Sequence, residues 1–273
     1  VMSNGILKGK KGIVFGALND ASIAWKVAQR CVEEGAEIIL TNAPVAKKIG
    51  QTEVLAKEIN TEVIYCDVTK MEDLENLVSQ SLEKLGGKFD FVLHSVGMSL
   101  NVRKKKPYTD LNYDWMHTSL DISAMSFHRL MQVLWKQDAV KDWGSIMALS
   151  YIAAQRTFPD YSEMAEAKSM LESIARSFGY HYGKAKKVRV NTISQSPTMT
   201  TAGSGVGGFD AFYNYANKMS PLGNASADAC ADYVITMFSD YTKMVTMQNL
   251  FHDGGFSNTG ISTDLMDGFR DTE

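Results

Sequence analysis

Residues 12–41 read GIVFGALNDASIAWKVAQRCVEEGAEIILT, and this stretch decides the fold class. Its first five residues, 12–16, form a short apolar run ending in glycine, a pattern typical of a strand buried in a parallel sheet. A polar turn follows, and residues 23–36 then show the periodicity of a helix that stops near Gly35. Residues 37–41 are a second apolar run. The stretch therefore predicts a strand–helix–strand unit.

The rest of the chain repeats this alternation. Five further strands are predicted, at residues 62–66, 89–95, 144–150, 188–193 and 245–251. The helices predicted between and around them lie at residues 46–59, 71–85, 111–137, 161–182 and 225–239. Such alternation favours an α/β fold with a doubly wound parallel sheet of about seven strands and helices on both faces. No linker-like segment divides the chain, so we expect a single domain over residues 1–273.

Composition argues against several classes of function. The formal net charge of −3 provides no basic footprint for nucleic acid. No apolar run is long enough to predict a membrane span, and the first residues, VMSNGILKGKKG, lack the apolar core of a signal peptide. Cys31, Cys66 and Cys230 are far apart and lack metal-ligand spacing. We therefore expect buried reduced thiols in a cytoplasmic protein, with no metal, no nucleic acid and no membrane as partner.

Residues 194–222 interrupt the alternation. They hold SQSP, TMTT, GSGVGG and the aromatic-rich FDAFYNYA. A connection this long in a compact α/β domain is usually functional, and its glycines supply hinges, so the segment predicts a substrate-binding lid. The alternative is a surface insertion that carries a short helix.

Residues 149–168, LSYIAAQRTFPDYSEMAEAK, carry the candidate catalytic groups. On a continuous helix, Tyr161 and Lys168 would lie on one face about two turns apart. A nearby ammonium favours the phenolate, which makes Tyr161 a plausible acid. The alternative is an amphipathic core helix whose lysine extends its charged end to water.

The turn after the first strand is where the pyrophosphate of a dinucleotide would meet a helix N-terminus. The turn lacks the GxGxxG pattern, because Ser22 and Ile23 stand where the later glycines are expected. Gly16 can still supply the tight turn. Ser22 can cap the helix and donate to a phosphate.

Other strand ends carry further candidates for binding a dinucleotide. Asp67 and Val68, after the third strand, suit adenine recognition, and Ser95-Val96-Gly97, after the fourth, offers a close backbone approach to ribose or nicotinamide. Each alone fits an ordinary strand-end turn. Their coincidence at successive strand ends favours a dinucleotide site.

These residues resemble the enoyl-acyl-carrier-protein reductases of bacterial fatty-acid synthesis, a divergent branch of the short-chain dehydrogenase/reductases. The resemblance covers about residues 7–256, and its most specific feature is the spacing Tyr151-x9-Tyr161-x6-Lys168. Ordinary short-chain dehydrogenases place the lysine four residues after the tyrosine, where this chain has Ala165. The further matches are Gly16-x5-Ser22-Ile23-Ala24, Cys66-Asp67-Val68, His94-Ser95-Val96-Gly97, Leu149-Ser150-Tyr151, Val188-Arg189-Val190-Asn191 and Asp253-Gly254-Gly255-Phe256.

The resemblance implies a Rossmann-type homotetramer that reduces the trans-2 double bond of an enoyl thioester on acyl carrier protein, with NAD(P)H. Tyr161 would donate to the thioester oxygen, Lys168 would hold the nicotinamide ribose, and Tyr151 would complete the catalytic group. The implied cofactor contacts are Gly16, Ser22, Ile23, Ala43, Asp67, Val68, Ser95, Val96, Gly97, Lys168, Thr198, Met199, Thr200, Thr201 and Ala202. The implied substrate contacts are Ser99, Tyr151, Tyr161, Met164 and Phe209.

Some positions depart from the family pattern. Neither an arginine nor an acidic residue follows the second strand, so NADH is expected and NADPH stays an alternative. Ser196-Pro197 replaces the usual Gly-Pro, and the lid helix has only Lys218 as a basic residue. The run at 103–106, RKKK, is either a substitute surface for an acidic carrier protein or a solvated loop.

Two rival functions stay open. A dehydrogenase of alcohols or ketones is disfavoured by the Tyr–Lys spacing, and a binding protein without catalysis is disfavoured by the intact Tyr161 and Lys168.

Overall fold

The computed structural model of the chain describes residues 3–200 and 208–271. Its strands are β1 Lys11–Phe15, β2 Glu37–Thr41, β3 Glu62–Val63, β4 Phe89–His94, β5 Val140–Ser150, β6 Arg189–Gln195 and β7 Asn249–His252. They form one sheet in the order β3-β2-β1-β4-β5-β6-β7, and each neighbouring pair is parallel. The predicted seven-stranded doubly wound sheet is confirmed.

Three strands, β3, β5 and β7, have a bound that differs from the prediction by three residues or more, and the other strands agree within two residues. β3 ends at Val63, although the N–H of Cys66 still donates to the carbonyl of Asn42 at 2.9 Å. β3 is an edge strand with β2 as its single neighbour in the sheet, so less pairing constrains its path. β5 begins early, at Val140, through an irregular pairing with Phe89, and β7 begins late, at residue 249.

The α-helices of the described residues are α1 Ile23–Glu33, α2 Ala46–Ile49, α3 Thr52–Glu58, α4 Met71–Leu85, α5 Leu100–Arg103, α6 Tyr113–Leu120, α7 Ser126–Lys136, α8 Met164–Lys186, α9 Phe209–Met219, α10 Ala227–Phe238 and α11 Thr263–Met266. None of these helices is long and apolar enough to cross a membrane. The predicted lid at 194–222 contains the end of β6 and all of α9. Residues 201–207 lie outside the described part of the chain.

Two helices predicted as continuous are interrupted. The first, 46–59, is split at Gly50, where the backbone is extended and a Cβ atom would lie 2.5 Å from Leu18 Cδ1. The second, 111–137, contains a π-helical turn over Asp121–Met125 between α6 and α7. Hydrophobic periodicity did not reveal either break, because both depend on local backbone geometry.

The helix predicted over 161–182 begins instead at Met164 and continues to Lys186. Tyr161 ends a 3₁₀ turn, Pro159–Tyr161, and Ser162 then has φ 53° and ψ −145°, which no helical residue adopts. The prediction that Tyr161 and Lys168 share a helical face is therefore wrong. The two side chains reach one site from a turn and from a helix.

Helices cover both faces of the sheet. α4, α7 and α8 contribute to one buried hydrophobic cluster, and α1 and α10 contribute to the other. Along β1, Ile13 and Phe15 belong to the first cluster and Val14 to the second, so this strand is buried on both faces as its apolar run predicts. The rings of Phe91 and Phe238 stack at 4.4 Å in the second cluster.

Candidate active site

The site lies at the carboxyl end of the sheet, where the strand order reverses between β1 and β4. Gly16, just after β1, has φ 103°, and a Cβ atom there would lie 2.0 Å from the carbonyl oxygen of Ser95. Only glycine fits this close approach of two strand ends. The first turn and the segment after β4, both predicted to bind the cofactor, are thus brought into contact.

Ser22 precedes α1, and Ile23 is the first residue of that helix. The prediction that the Ser22 side chain caps α1 is wrong, because its hydroxyl oxygen instead accepts the N–H groups of Leu18 and Asn19, each at 3.1 Å. This bonding satisfies donors of the turn itself, and the hydroxyl hydrogen still has the capacity to donate to a phosphate. The α1 N-terminus also favours an anion.

The ends of β2 and β3 hold the next candidates. Ala43 is exposed, and its N–H donates to the Asn42 side chain at 2.8 Å. Asp67 accepts two hydrogen bonds from Thr69, from the hydroxyl at 2.6 Å and the N–H at 3.0 Å. The Thr69 hydroxyl is the main cause that lowers the pKa of Asp67, so this carboxylate is a stable acceptor at neutral pH. Val68 packs against the core.

Gly97 and Lys168 lie together, as predicted for a nicotinamide ribose site. A Cβ atom on Gly97 would lie 3.5 Å from Met164 Cε and 3.9 Å from both Lys168 Nζ and Ser123 Oγ. Ser95 and Val96 lead into this glycine from the end of β4, and Val96 packs against the core. Gly97 itself is exposed, and it lies beside a buried ammonium.

Lys168 is buried, and its Nζ donates to the carbonyl of Leu149 at 2.9 Å. Burial lowers the pKa of Lys168 to about 8, while the carboxylate of Glu172 acts in the opposite direction. Glu172 is itself buried and accepts from Ser150 at 2.7 Å and from Gln155 at 3.3 Å. The lysine and the glutamate thus bind consecutive residues at the end of β5.

Tyr151 and Tyr161, ten residues apart in sequence, are brought together. Their ring centroids are 5.1 Å apart, and Tyr151 also contacts Phe158 at 5.4 Å and Phe212 at 6.0 Å. Phe256 completes this aromatic cluster through Phe158, at 6.3 Å. The structure thus joins the two predicted active-site tyrosines within one apolar wall.

Burial raises the pKa of Tyr161 to about 12, and burial also raises the pKa of Tyr151. The expectation that Lys168 favours the Tyr161 phenolate is wrong for this chain, because desolvation disfavours the charged form. At neutral pH both phenols keep their protons. Tyr161 can therefore act as a hydrogen-bond donor.

The predicted substrate contacts differ in their surroundings. Met164 is buried beside Gly97, and its sulfur accepts from Ser119 and Ser123 at 3.6 and 3.7 Å. Ser99 is also buried, but its hydroxyl donates to Glu163 at 2.5 Å and its oxygen accepts from Val102 N–H at 3.1 Å. In this structure the donor of Ser99 is engaged within the protein rather than offered to a substrate.

The lid helix presents a different aromatic residue from the predicted one. Phe209 contacts Tyr213 at 5.8 Å, whereas Phe212, one helical turn later, packs on Tyr151 and Phe158. A helix start at Phe209 is not visible in the glycine-rich sequence before it, so the facing residue could not be selected from spacing alone.

The segment after β6 begins at Ser196, which accepts the N–H of Ala225 at 3.0 Å. Thr198 donates to the Ser196 carbonyl at 3.0 Å and accepts from Gln195 at 3.3 Å, and Thr200 N–H donates to the Thr198 carbonyl at 2.8 Å. Met199 is exposed. The remaining predicted contacts here, Thr201 and Ala202, lie outside the described residues.

Several site residues were missed from the sequence. Phe158 and Phe212 have no distinguishing spacing, whereas Phe256 belongs to the Asp253-Gly254-Gly255-Phe256 motif and could have been selected. Glu163 and Glu172 are acidic residues in a helical stretch, which sequence alone assigns to a solvated face. The basic run at 103–106 is exposed at the end of α5, and its role stays a prediction.

Comparison with known proteins agrees with this geometry. The model of the family described as enoyl-(acyl carrier protein) reductase matches residues 16–257. Enoyl-(acyl-carrier-protein) reductase (NADH) 1 of Rhizobium meliloti is 33% identical, over 95% of this chain and 94% of that protein. A FabI protein of Rickettsia conorii, an NADH reductase with the same description, is 32% identical over 95% and 98%.

A solved structure gives the same result. The crystal structure titled FabI–NADH complex from Alistipes finegoldii has a TM-score of 0.93 and 63% sequence identity, covering 94% of this chain and 91% of that one. That of the reductase from Aquifex aeolicus has a TM-score of 0.86 and 29% identity, over 94% and 99% of the two chains. The chain belongs to the enoyl-(acyl carrier protein) reductase family.

Proposed function

We propose that this chain reduces the trans-2 carbon–carbon double bond of enoyl-acyl-carrier-protein thioesters with NADH, in the fatty-acid elongation cycle. The observation that carries the proposal is a pair of groups at the sheet end: a half-buried phenol that keeps its proton, Tyr161, and a buried ammonium, Lys168, beside the exposed Gly97. The family and the NADH-bound relative support the same reaction.

The residues at the sheet end fit a nicotinamide dinucleotide. The turn at Gly16 and the α1 N-terminus offer a place for pyrophosphate, and the exposed Gly97 lets a ribose approach the backbone beside Lys168. An ammonium has three donors, and in the described part of the chain Lys168 uses one on Leu149. Its other donors are available for ribose hydroxyls. When bound, the cofactor supplies the hydride that adds to the β-carbon.

Tyr161 would stabilise the charge that the thioester oxygen gains during this addition. The hydrogen bond from a neutral phenol strengthens as the thioester becomes an enolate and its oxygen gains negative charge. This bond therefore stabilises the transition state more than the bound substrate. Tyr151 would orient the ring of Tyr161 and the substrate, because its ring contacts that of Tyr161 within the aromatic wall. Met164 and the aromatic wall would exclude water from the acyl chain.

NADH is favoured over NADPH by the end of β2. Asn42 and Ala43 follow this strand, and no arginine is near in sequence to pair with a 2′-phosphate. Lys47, the nearest lysine, lies over the ring of Tyr65 at 5.8 Å and is thus partly engaged.

Binding of NADH is expected to weaken as pH rises through about 8. Lys168 is protonated below its pKa of about 8, so its ammonium can donate to the ribose at pH 7 and loses its charge above pH 8. Burial, with a smaller contribution from the charge of Lys168, lowers the pKa of His94 to about 3, so this histidine stays neutral throughout this range. Fluorescence titration with NADH between about pH 6.5 and 9.5 checks this.

The lowered pKa of Lys168 also changes how the free energy of unfolding depends on pH. Between pH 8 and the ordinary lysine pKa of 10.5, the unfolded chain holds this proton and the folded chain does not. This group therefore stabilises the fold as pH rises through that window, while NADH affinity falls. A dissociation constant that stays flat from pH 6.5 to 9.5 would contradict the role of the ammonium.

The reaction itself is tested by following cofactor oxidation with crotonyl thioester, using NADH and NADPH in parallel. We expect turnover with the enoyl thioester and a higher kcat/KM with NADH. An acetoacetyl thioester serves as the control substrate. Oxidation with the ketone alone would assign the chain to carbonyl reduction, and cofactor binding without turnover of either substrate would assign it to binding without catalysis.

We further propose three properties that the family resemblance suggests. The first is a single domain, 1–273, whose segment 194–222 acts as the lid, supported by the packing of Phe212 on Tyr151. The second is a homotetramer, which a molar-mass measurement in solution would test. The third is a cytoplasmic location, which cell fractionation would test.

A further inference from the structure

The turn between Tyr161 and α8 has an unusual backbone. Ser162 is buried and has φ 53° and ψ −145°, a conformation that residues with a side chain rarely adopt. Such a conformation persists only where the surroundings hold it in place. Tyr161 is attached directly to this residue. Whatever holds the turn therefore also sets the position of the Tyr161 ring.

Glu163, the next residue, is fully buried at 0% exposure. Its Oε1 accepts the hydroxyl of Ser99 at 2.5 Å, while its Oε2 has no hydrogen-bond partner among the described residues. A buried carboxyl group with one direct hydrogen bond is costly, and an apolar residue would pack this turn at lower cost. A stability role alone does not account for a glutamate here.

The other end of this hydrogen bond lies on the cofactor side of the site. Ser99 follows Gly97 by two residues and accepts the N–H of Val102, which fixes the start of α5. Val102 in turn packs in one small cluster with Met164 and Tyr161. The Ser99–Glu163 bond therefore connects the start of α5, whose Val102 packs near Tyr161, to the turn that carries Tyr161.

A second hydroxyl–carboxylate bond provides a comparison. Tyr108, from the chain segment after α5, donates to Glu166 in the first turn of α8. This bond joins the same two segments, but the Tyr108 side chain is 55% exposed and belongs to neither cluster that contains Tyr161. Tyr108–Glu166 therefore attaches the α5 region to α8 without contacting the surroundings of Tyr161. Loss of this bond serves as the control for loss of the Ser99–Glu163 bond.

We propose that the Ser99–Glu163 hydrogen bond is a positioning element that fixes the Tyr161 hydroxyl for its donation to the thioester oxygen. This inference rests on the proposed enoyl reduction. Ser99 and Glu163 act through Tyr161 and touch no reacting atom. Loss of the bond frees the strained Ser162 to relax, which rotates the Tyr161 ring away from Tyr151.

The test is a double-mutant cycle between Ser99 and Tyr161. Ser99→Ala is expected to lower kcat on crotonyl thioester by roughly 10- to 100-fold, since a displacement of about 1 Å in a reacting group has an effect of this size. Ser99→Thr keeps the hydroxyl and is expected to retain most of the activity. In a Tyr161→Phe background, Ser99→Ala is expected to lower kcat by less than about twofold, because the hydroxyl it positions is already gone.

Additive losses in the two backgrounds would overturn the inference, because they would show that Ser99 acts on substrate or on the fold independently of Tyr161. The dissociation constant for NADH is measured for every variant and is expected to stay unchanged. Tyr108→Phe is the matched control, and its kcat is expected to equal that of the unmodified chain. An equal loss in Tyr108→Phe would also overturn the inference.

Stability is separated from positioning by the double variant Ser99→Ala/Glu163→Leu. Ser99→Ala alone leaves the Glu163 carboxyl buried without a partner, which lowers Tm. Replacing both partners with apolar groups removes that carboxyl, so the Tm of the double variant is expected to exceed that of Ser99→Ala while its kcat stays low. Recovery of kcat along with Tm would contradict positioning. A crystal structure of Ser99→Ala is expected to show the Tyr161 ring displaced from Tyr151. This readout needs no turnover, so it tests the inference even if the unmodified chain fails to reduce enoyl thioesters.

Discussion

Tyr161→Phe is expected to lower kcat on crotonyl thioester by roughly 10²–10³-fold, the usual effect of removing one donor to a developing oxyanion. The reason is the protonation state of the phenol: burial raises the pKa of Tyr161 to about 12, so its hydroxyl keeps the proton and can donate a hydrogen bond at neutral pH. Phenylalanine keeps the ring that contacts Tyr151 and removes the hydroxyl alone. Steady-state kinetics with saturating NADH measure the change.

The loss is expected in kcat, while the dissociation constant for NADH stays within about twofold, because the hydroxyl acts mainly in the transition state. Tyr180→Phe is the control, since Tyr180 lies on α8, away from the site, with 56% of its surface exposed. Unchanged kcat in Tyr161→Phe would remove this residue from its assigned role. Tyr151, the other phenol at the site, would then be the remaining donor.

Some of this site was accessible from sequence because it depends on strand ends. Gly16 and Ser95 end predicted strands, and Gly97 and Tyr151 follow predicted strands. Parallel strands place their carboxyl ends at one edge of the sheet, so the strand–helix alternation alone predicted that these residues lie near one another. The fold class followed for the same reason. Burial on both faces of β1 leaves a continuous apolar run that periodicity detects.

Other features could not be predicted because they depend on the path of the backbone between elements. The positive φ of Ser162 moves Tyr161 off the helix, although its sequence surroundings have helical composition. The hydroxyl of Ser22 satisfies its own turn instead of capping α1, a choice between two local bonding patterns that residue type leaves open.

The state of the ionisable groups was the least accessible feature. Spacing places Lys168 near Tyr161 but says nothing of burial, and burial reverses the expected direction for the tyrosine pKa. Glu163 and Glu172 occur in a stretch with other polar residues, yet both are buried against hydroxyls from distant segments. Long-range hydrogen bonds of this kind leave no periodic signal.

Lys168→Met is expected to raise the dissociation constant for NADH by roughly 10- to 100-fold, corresponding to about 1.5–3 kcal/mol for hydrogen bonds from a charged donor. Methionine has a similar length and is apolar, so it fits the buried position without the ammonium. The pH dependence of NADH binding is expected to vanish in this variant, because the titrating group is gone. Fluorescence titration at several pH values measures both effects.

The Tm of Lys168→Met distinguishes loss of the contact with NADH from damage to the fold. Burial opposes the charge of Lys168 and lowers its pKa to about 8, so removing the charge is expected to leave Tm unchanged or higher, although the bond to the Leu149 carbonyl is lost. Lys184→Met, at an exposed position later on α8, is the matched control and should change neither NADH binding nor Tm. A normal NADH dissociation constant in Lys168→Met would contradict the ribose contact. A lowered Tm would instead assign the lysine to holding α8 against the end of β5.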